Sequence, residues 1–421
     1  MSVEKKYFPI NTATACQLKW NWSTLYLNSG GTASCHRTAI SVVNEENFSD
    51  FHNTPLKLAD RQNMLDGKWP EDSCTYCREI EEAGGTSDRE RQLSVPDMYP
   101  TELEINPTAT KILPTILEVY FNNACNLGCL YCDTTGTLSS TIATENKQYG
   151  DFKKEGVELV LIDDHFKDLV PHFWEWFPAG FPKIKRMHIL GGEPFYQKEL
   201  DKLLDMIEQY PNPNCELNII TNLMVPKKRI EDFLLKTKKL LIKRKLKRID
   251  ITCSIDCWGP EQEYVRWGIN LKQWEENFNL LIENKWIYLN INQTISALTI
   301  KTMPELISKL TEWRKNRKIG HWFSGVTPGP SYLKGEIFGN KEFVIDEETI
   351  LSMMPQDTSE DKEAYKYMQG IFKQILAPTQ NINEIRNLII FLNEKDRRRN
   401  TNWRELFPWL IKYEDLCGIQ E

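Results

Sequence analysis

Phe121-Asn122-Asn123-Ala124-Cys125-Asn126-Leu127-Gly128-Cys129-Leu130-Tyr131-Cys132 sets three cysteines within one short segment. The spacing is C-x3-C-x2-C, and it follows directly on Ile116–Phe121, a short apolar run that reads as a β-strand. Three thiolates on one short loop can hold three irons of a cubane cluster and leave the fourth without a protein ligand. The competing reading is zinc, which takes four protein ligands in a structural role; no fourth ligand is near in sequence.

Outward from this loop, short apolar strands alternate with amphipathic stretches. The strand candidates are Ile116–Phe121, Ile184–Leu190, Glu216–Thr221, Arg248–Ile255, Trp286–Ser296 and His321–Val326. Helical patterns fill the gaps at Lys198–Tyr210, Lys227–Lys245, Leu271–Asn284 and Met303–Arg317. Strand–helix alternation implies a parallel sheet with its site at the C-terminal strand ends. Six units are too few for a closed eight-fold barrel. The expected fold is therefore α/β, a partial (β/α)6 TIM-like barrel over residues 111–332. Residues 1–110 are expected to be a cysteine-rich module organised by metal in place of an apolar core, with turns at Asn28–Gly31 and Ala83–Gly85. Residues 333–421 are expected to be a helical C-terminal region, with start signals at Asp357–Glu360 and Thr401-Asn402 and a final turn opened by Pro408.

The order of motifs resembles the radical SAM superfamily, whose first loop has this cysteine spacing with an aromatic residue, here Tyr131, before the last cysteine. The resemblance implies a [4Fe–4S] cluster on Cys125, Cys129 and Cys132 and S-adenosylmethionine chelating the open iron. It also implies reductive cleavage of that cofactor to a 5′-deoxyadenosyl radical that abstracts hydrogen from a substrate. Leu190-Gly191-Gly192-Glu193-Pro194 resembles the family's GGEP segment. The glycines would let the backbone approach the cofactor, and Glu193 would accept from its ammonium. Thr221-Asn222 resembles the pair near the ribose. Ser254-Ile-Asp256 and Arg266 resemble the SPASM and Twitch pattern that holds the cofactor carboxylate. Asn292–Leu298 would pass near the adenine. Cys257 stands where the family usually has glycine. With Cys253 it is a candidate thiol donor of hydrogen to a substrate radical, weighed against a buried small residue.

Of eleven cysteines, seven lie in the first third of the chain. Cys16-x13-Gly30-x4-Cys35 resembles the opening of SPASM and Twitch modules around a hairpin, and Cys74-Thr-Tyr-Cys77 is a metal-gripping C-x2-C. These four are expected to hold a second, auxiliary [4Fe–4S] cluster in electron transfer or structure, with structural zinc as the rival. Twitch modules usually follow the barrel, whereas these cysteines precede it.

The remaining properties exclude rather than identify. A net charge of −7 argues against a general nucleic-acid binder, and the basic stretch Lys227–Arg248 reads as a solvated helix face. No apolar run reaches bilayer length, and the N-terminus has no secretory pattern, so a cytoplasmic location is expected. The expected partners are a small-molecule or peptide substrate and an electron donor such as flavodoxin or ferredoxin. The alternative is a non-catalytic iron–sulfur or zinc protein on the same scaffold.

Overall fold

The computed structural model describes residues 8–35, 38–71, 73–82, 87–93, 98–100, 103, 106, 108–132, 139–160, 168–326, 329–376 and 379–418. The expected turn at Ala83–Gly85 lies outside them. The chain forms two compact units. The first comprises Met1–Asn122, His165–Ile219 and Glu231–Ile249; the second comprises Asn123–Asp164, Ile220–Ile230 and Asp250–Glu421.

In the first unit, Trp22–Tyr26 (β1) and Gly31–Ala33 (β2) form an antiparallel hairpin, and Ser41–Val42 (β3) pairs with β2. The Asn28–Gly31 turn that links β1 to β2 uses Gly30 at φ 78°, a conformation open to glycine at little cost. Ile116–Tyr120 (β4) pairs in parallel with β1 on one side and with Arg186–Leu190 (β8) on the other. Asn212–Thr221 (β9) follows β8 in parallel, and the start of Leu246–Ser254 (β10) lies next to β9. The sequence predicts metal in place of an apolar core for the N-terminal segment. The structure corrects this: Phe8, Ile10, Trp20, Met64, Leu103 and Ile112 make an apolar cluster with Cys16 and Cys74 in its wall.

In the second unit, the rest of β10 pairs in parallel with Tyr288–Ile295 (β12), and β12 with Gly320–Gly325 (β13). Gly128–Cys129 (β5) pairs antiparallel with Arg266–Trp267 (β11), and Phe152–Lys154 (β6) with Val157–Leu159 (β7). All six expected strands are present, and β4, β8, β9, β10, β12 and β13 lie side by side in chain order, the order of a partial (β/α) barrel. The whole sheet is mixed, because β2 and β3 run antiparallel beyond β1.

The helical segments follow burial periodicity. Leu271–Glu283 is capped by Asn270, whose side chain accepts from the Gln273 amide at 2.9 Å. It buries Trp274, Asn277, Phe278, Leu281 and Ile282, the one-face spacing of an amphipathic helix. Beyond β13 come helices Val344–Met353, Ser359–Leu376, Ile382–Arg399, Trp403–Leu406 and Lys412–Cys417. Thr358 and Asn402 serve as the expected start signals, and Pro408 opens a short 3-10 turn. Among the described residues, no helix is long and apolar enough to cross a membrane.

Candidate functional site

The cysteine loop lies in the second unit and is held from three directions. Helix Ser140–Tyr149 begins beneath it: Ser139 caps the Ile142 amide at 3.2 Å and donates to the Leu127 carbonyl at 3.1 Å. Ser140 Oγ accepts from the Cys125 amide at 2.9 Å, and Thr141 donates to the Cys125 carbonyl at 2.7 Å. The second support starts from Asn277, which donates to the carbonyls of Leu223 and Val225, each at 2.9 Å. That segment presents Asn222, whose amide donates to Asn126 at 3.0 Å and to Cys125 Sγ at 3.7 Å, while Asn126 donates back to the Met224 carbonyl. The third is the β5–β11 ladder, which sets Cys129 opposite Arg266. The Leu130 amide continues it by donating to the Val265 carbonyl at 2.9 Å.

Arg266 is buried and forms a two-pronged pair with Asp256, Nε to Oδ2 at 2.8 Å and Nη2 to Oδ1 at 2.9 Å. Its Nη1 reaches Cys129 Sγ at 3.9 Å, and its guanidinium lies 5.5 Å from the Tyr131 ring centre. The Tyr131 hydroxyl and the Thr294 amide also donate to Asp256. Burial opposes the charge on Arg266, but Asp256, Tyr131 and Cys129 together outweigh it and hold the guanidinium protonated well above its usual range. For the Cys129 thiol the balance reverses: burial pushes it up against the pull of Arg266. Gln262 shapes the turn after β10, its Oε1 accepting from the amides of Asp256 and Cys257 at 3.0 and 2.9 Å. Gln293 donates to the Asp256 carbonyl at 2.6 Å.

The structure thus brings Cys125, Cys129, Tyr131, Asn222, Asp256 and Arg266 into one hydrogen-bonded neighbourhood, with Cys132 half-buried at its end. Ser254 ends β10 opposite Asn292. Leu298 is buried in the apolar cluster of the second unit. Cys253 and Cys257 are fully buried, and the Cys257 thiol donates to Gln262 at 3.6 Å, so both sit as packed core thiols. Burial pushes the Cys257 thiol up.

The glycine-rich segment belongs to the first unit. Gly191 has φ 122°, and a Cβ there would meet the Asn122 carbonyl at 2.7 Å, so both the conformation and the close approach demand glycine. The Gly192 amide donates to that same carbonyl at 3.0 Å. Glu193 is fully buried and accepts from the Phe195 amide at 3.0 Å, capping the turn Pro194–Tyr196. Sequence reasoning missed a partly open face on this unit's parallel strands, where register puts the buried Thr24 and Glu118 in one row with the partly exposed His188 and Asn218. Tyr26 and Tyr120 stack beside them at 4.5 Å, and Trp22 stacks on His188 at 5.5 Å. Strands of a parallel sheet are normally covered on both faces. His188 and Asn218 are nonetheless half-exposed while Met187, Ile189, Leu217 and Ile219 between them are buried. The alternating polar residues on β8 and β9 were the available signal.

The four N-terminal cysteines also lie in the first unit and feel one another. Burial raises the Cys16 thiol most, and Cys35 and Cys74 add to it; Cys74 is pushed up to about 12 by burial, with Cys35 and Cys77 contributing. Among the described residues, no group of three or more His, Cys, Asp or Glu is placed to hold a single metal ion. A mononuclear zinc site draws its sulfurs to about 2.3 Å from one point. A cubane takes one thiolate per iron, so its ligands stand apart. In the barrel loop the Cys125 sulfur accepts from the Leu127 amide at 3.4 Å and from Asn222 at 3.7 Å.

A parallel strand leads into a three-cysteine loop pinned by hydrogen bonds in an α/β chain. Residues 119–309 match the family model of the Radical SAM superfamily. No curated protein matches the sequence. Among solved structures, it is similar to native anSMEcpe with bound AdoMet and Cp18Cys peptide at 15% identity and a TM-score of 0.35, covering 61% of this chain and 61% of that one. It is similar to Streptococcus suis SuiB bound to the precursor peptide SuiA at 15% identity and a TM-score of 0.35, covering 82% of this chain and 64% of that one. For coproporphyrinogen III oxidase (HemN) from Escherichia coli, identity is 12% and the TM-score 0.34, covering 61% of this chain and 52% of that one. The chain thus spans 52 to 64% of these structures' own lengths, and similarity at this level carries nothing about substrate.

Proposed function

We propose that the chain is a radical S-adenosylmethionine enzyme acting on a small-molecule or peptide substrate. The observation that carries this reading is the loop Cys125–Cys132, supported on three sides within the segment that matches the superfamily. Cys125, Cys129 and Cys132 would hold a [4Fe–4S] cluster, which when bound would supply the electron for reductive cleavage of S-adenosylmethionine. The chain's own part is positioning. Asn222 and Arg266 hold two of the cysteine sulfurs and Asp256 holds Arg266, while Gly191, Gly192 and Glu193 would receive the amino acid end of the cofactor, Ser254 and Arg266 its carboxylate, and Leu298 its adenine. The partly open face with Glu118, Tyr120, His188 and Asn218 is the candidate surface for the substrate. Cys253 and Cys257 would serve as hydrogen donors only after opening of the packing around them.

The reading extends to Cys16, Cys35, Cys74 and Cys77 as ligands of an auxiliary cluster within residues 1–110, ahead of the barrel at 111–332 and the helical region at 333–421. The paired spacing Cys16–Cys35 and Cys74–Cys77 supports it. A low-potential donor of the flavodoxin or ferredoxin kind supplies electrons. The test is anaerobic reconstitution followed by an assay for 5′-deoxyadenosine, with Cys125, Cys129 and Cys132 replaced together by alanine. The native chain should hold about eight irons and the triple variant about four, without cofactor cleavage. Undiminished 5′-deoxyadenosine from the variant defeats the catalytic assignment, and zinc in place of the residual cluster defeats the auxiliary one.

A further inference from the structure

The strongest unabsorbed feature is Arg399, the last residue of helix Ile382–Arg399. Its side chain is 2% exposed. Among the described residues, only one of its nitrogens has a hydrogen-bond partner: Nε donates to Glu145 Oε2 at 2.7 Å, while Nη1 and Nη2 are buried without an acceptor. The neighbouring Arg398 shows what a purely structural arginine achieves at this helix end. It donates to Glu394 at 2.6 Å, to Asn146 at 2.9 Å and to the Gly150 carbonyl at 2.9 Å, using all three nitrogens.

Arg399 is instead laid against the cysteine loop. Its guanidinium lies 4.8 Å from the Trp267 ring centre, and Trp267 is paired with Gly128 across the β5–β11 ladder. A Cβ at Gly128 would meet Arg399 Nη2 at 3.1 Å and the Trp267 ring at 3.0 Å. The Arg399 charge is not cancelled locally. Among the described residues its carboxylate partner is Glu145, which is shared with Lys395 at 2.5 Å, so two cations stand on one anion. Arg266, by contrast, has Asp256 to itself. A buried guanidinium with idle donors and surplus charge implies an anion beside Gly128–Cys129.

We propose that Arg399 is a positioning residue for the cluster on Cys125, Cys129 and Cys132, and that its unneutralised charge raises the cluster's reduction potential. Adding one electron from a flavodoxin- or ferredoxin-type donor makes a thiolate-ligated cluster more negative, and a fixed cation next to one ligand favours that state. This inference rests on the radical S-adenosylmethionine reading.

The test is an EPR-monitored potentiometric titration at pH 7 of the anaerobically reconstituted full chain, with Arg399→Gln, Arg399→Lys and Lys395→Met beside it. Arg399→Gln should lower the equilibrium constant for one-electron reduction about tenfold, or about 59 mV. Arg399→Lys should restore most of the difference, and Lys395→Met should shift the potential the same way by less, because it leaves Glu145 to Arg399 alone. An unchanged midpoint in Arg399→Gln with full iron content overturns the inference. If Arg399→Gln does not fold, an unchanged midpoint in Lys395→Met overturns it. A native chain that takes up no cluster overturns the functional reading instead.

Discussion

Replacing Asp256 with asparagine is the sharpest test of how the site is built. Among the described residues every partner of its carboxylate is a donor: Arg266 Nε at 2.8 Å, Arg266 Nη2 at 2.9 Å, the Thr294 amide at 2.9 Å and the Tyr131 hydroxyl. Asparagine offers one acceptor oxygen and turns an NH2 toward the others. It also leaves the Arg266 charge buried without its counterion. Breaking such a pair from one side costs about 3–5 kcal/mol, against about 0–1 kcal/mol for a surface pair. The expected loss for Asp256→Asn is therefore about 3–5 kcal/mol, and about the same for Arg266→Met, which strands the carboxylate. Because each single change carries the cost of the abandoned charge, the double variant should be no worse than the more damaged single one. The two losses should fall short of additivity by about 3 kcal/mol. Urea denaturation of the reduced full chain measures this; guanidinium chloride would screen the interaction under study. Strict additivity, or single losses below about 1 kcal/mol, would show that the pair does not hold the β10 turn to the cysteine loop.

Two further outcomes follow from particular contacts. Gly128→Ala should cost about 1–3 kcal/mol and reduce iron uptake, because the new methyl presses on Trp267 at 3.0 Å and Arg399 at 3.1 Å; full iron content with unchanged stability would contradict it. His52 should make the chain acid-sensitive: burial, then Arg61 and Lys57, hold it well below its usual range, neutral between the Ser23 hydroxyl at 2.7 Å and the Trp20 carbonyl at 3.0 Å. Below pH 6.5 the unfolded chain takes a proton that the folded chain refuses, so stability should fall by about 1.4 kcal/mol per pH unit until the folded pKa is reached. His52→Asn should flatten that fall, and an unchanged slope would refute it.

The parts of this structure legible in the sequence are those governed by local periodicity. The six barrel-type strands and the helices between them repeat at periods that a short window exposes, and the hairpin turn at Asn28–Gly31 is written in its glycines. What joins the hairpin to the rest is not local. The pairing of β1 with β4 links Trp22 to Ile116 across a long cysteine-bearing segment, and no spacing signals that contact. The same limit applies at the site. Asp256 and Arg266 were both marked by their motif, but as two contacts to a cofactor. Their union becomes visible only when Gln262 folds the turn between them by accepting from two successive amides. Arg399 was illegible altogether: in sequence it closes a run of three arginines at a helix end, which reads as a solvated, dipole-favoured terminus.

The supports of the cysteine loop also explain why its charges are arranged unevenly. A loop carrying three prospective thiolates repels itself, and burial makes each thiolate costlier. The chain meets that cost with neutral donors at Cys125, the Leu127 amide and Asn222, and with cations at Cys129. Arg266 cannot supply the balance alone, since Asp256 takes up its charge while fixing its direction. The remaining positive charge comes from a helix more than two hundred residues further along the chain, delivered past Trp267 to the glycine that precedes Cys129. Gly128 is small because two partners converge on it, and the C-terminal helices are thereby part of the cysteine site rather than a covering laid over it.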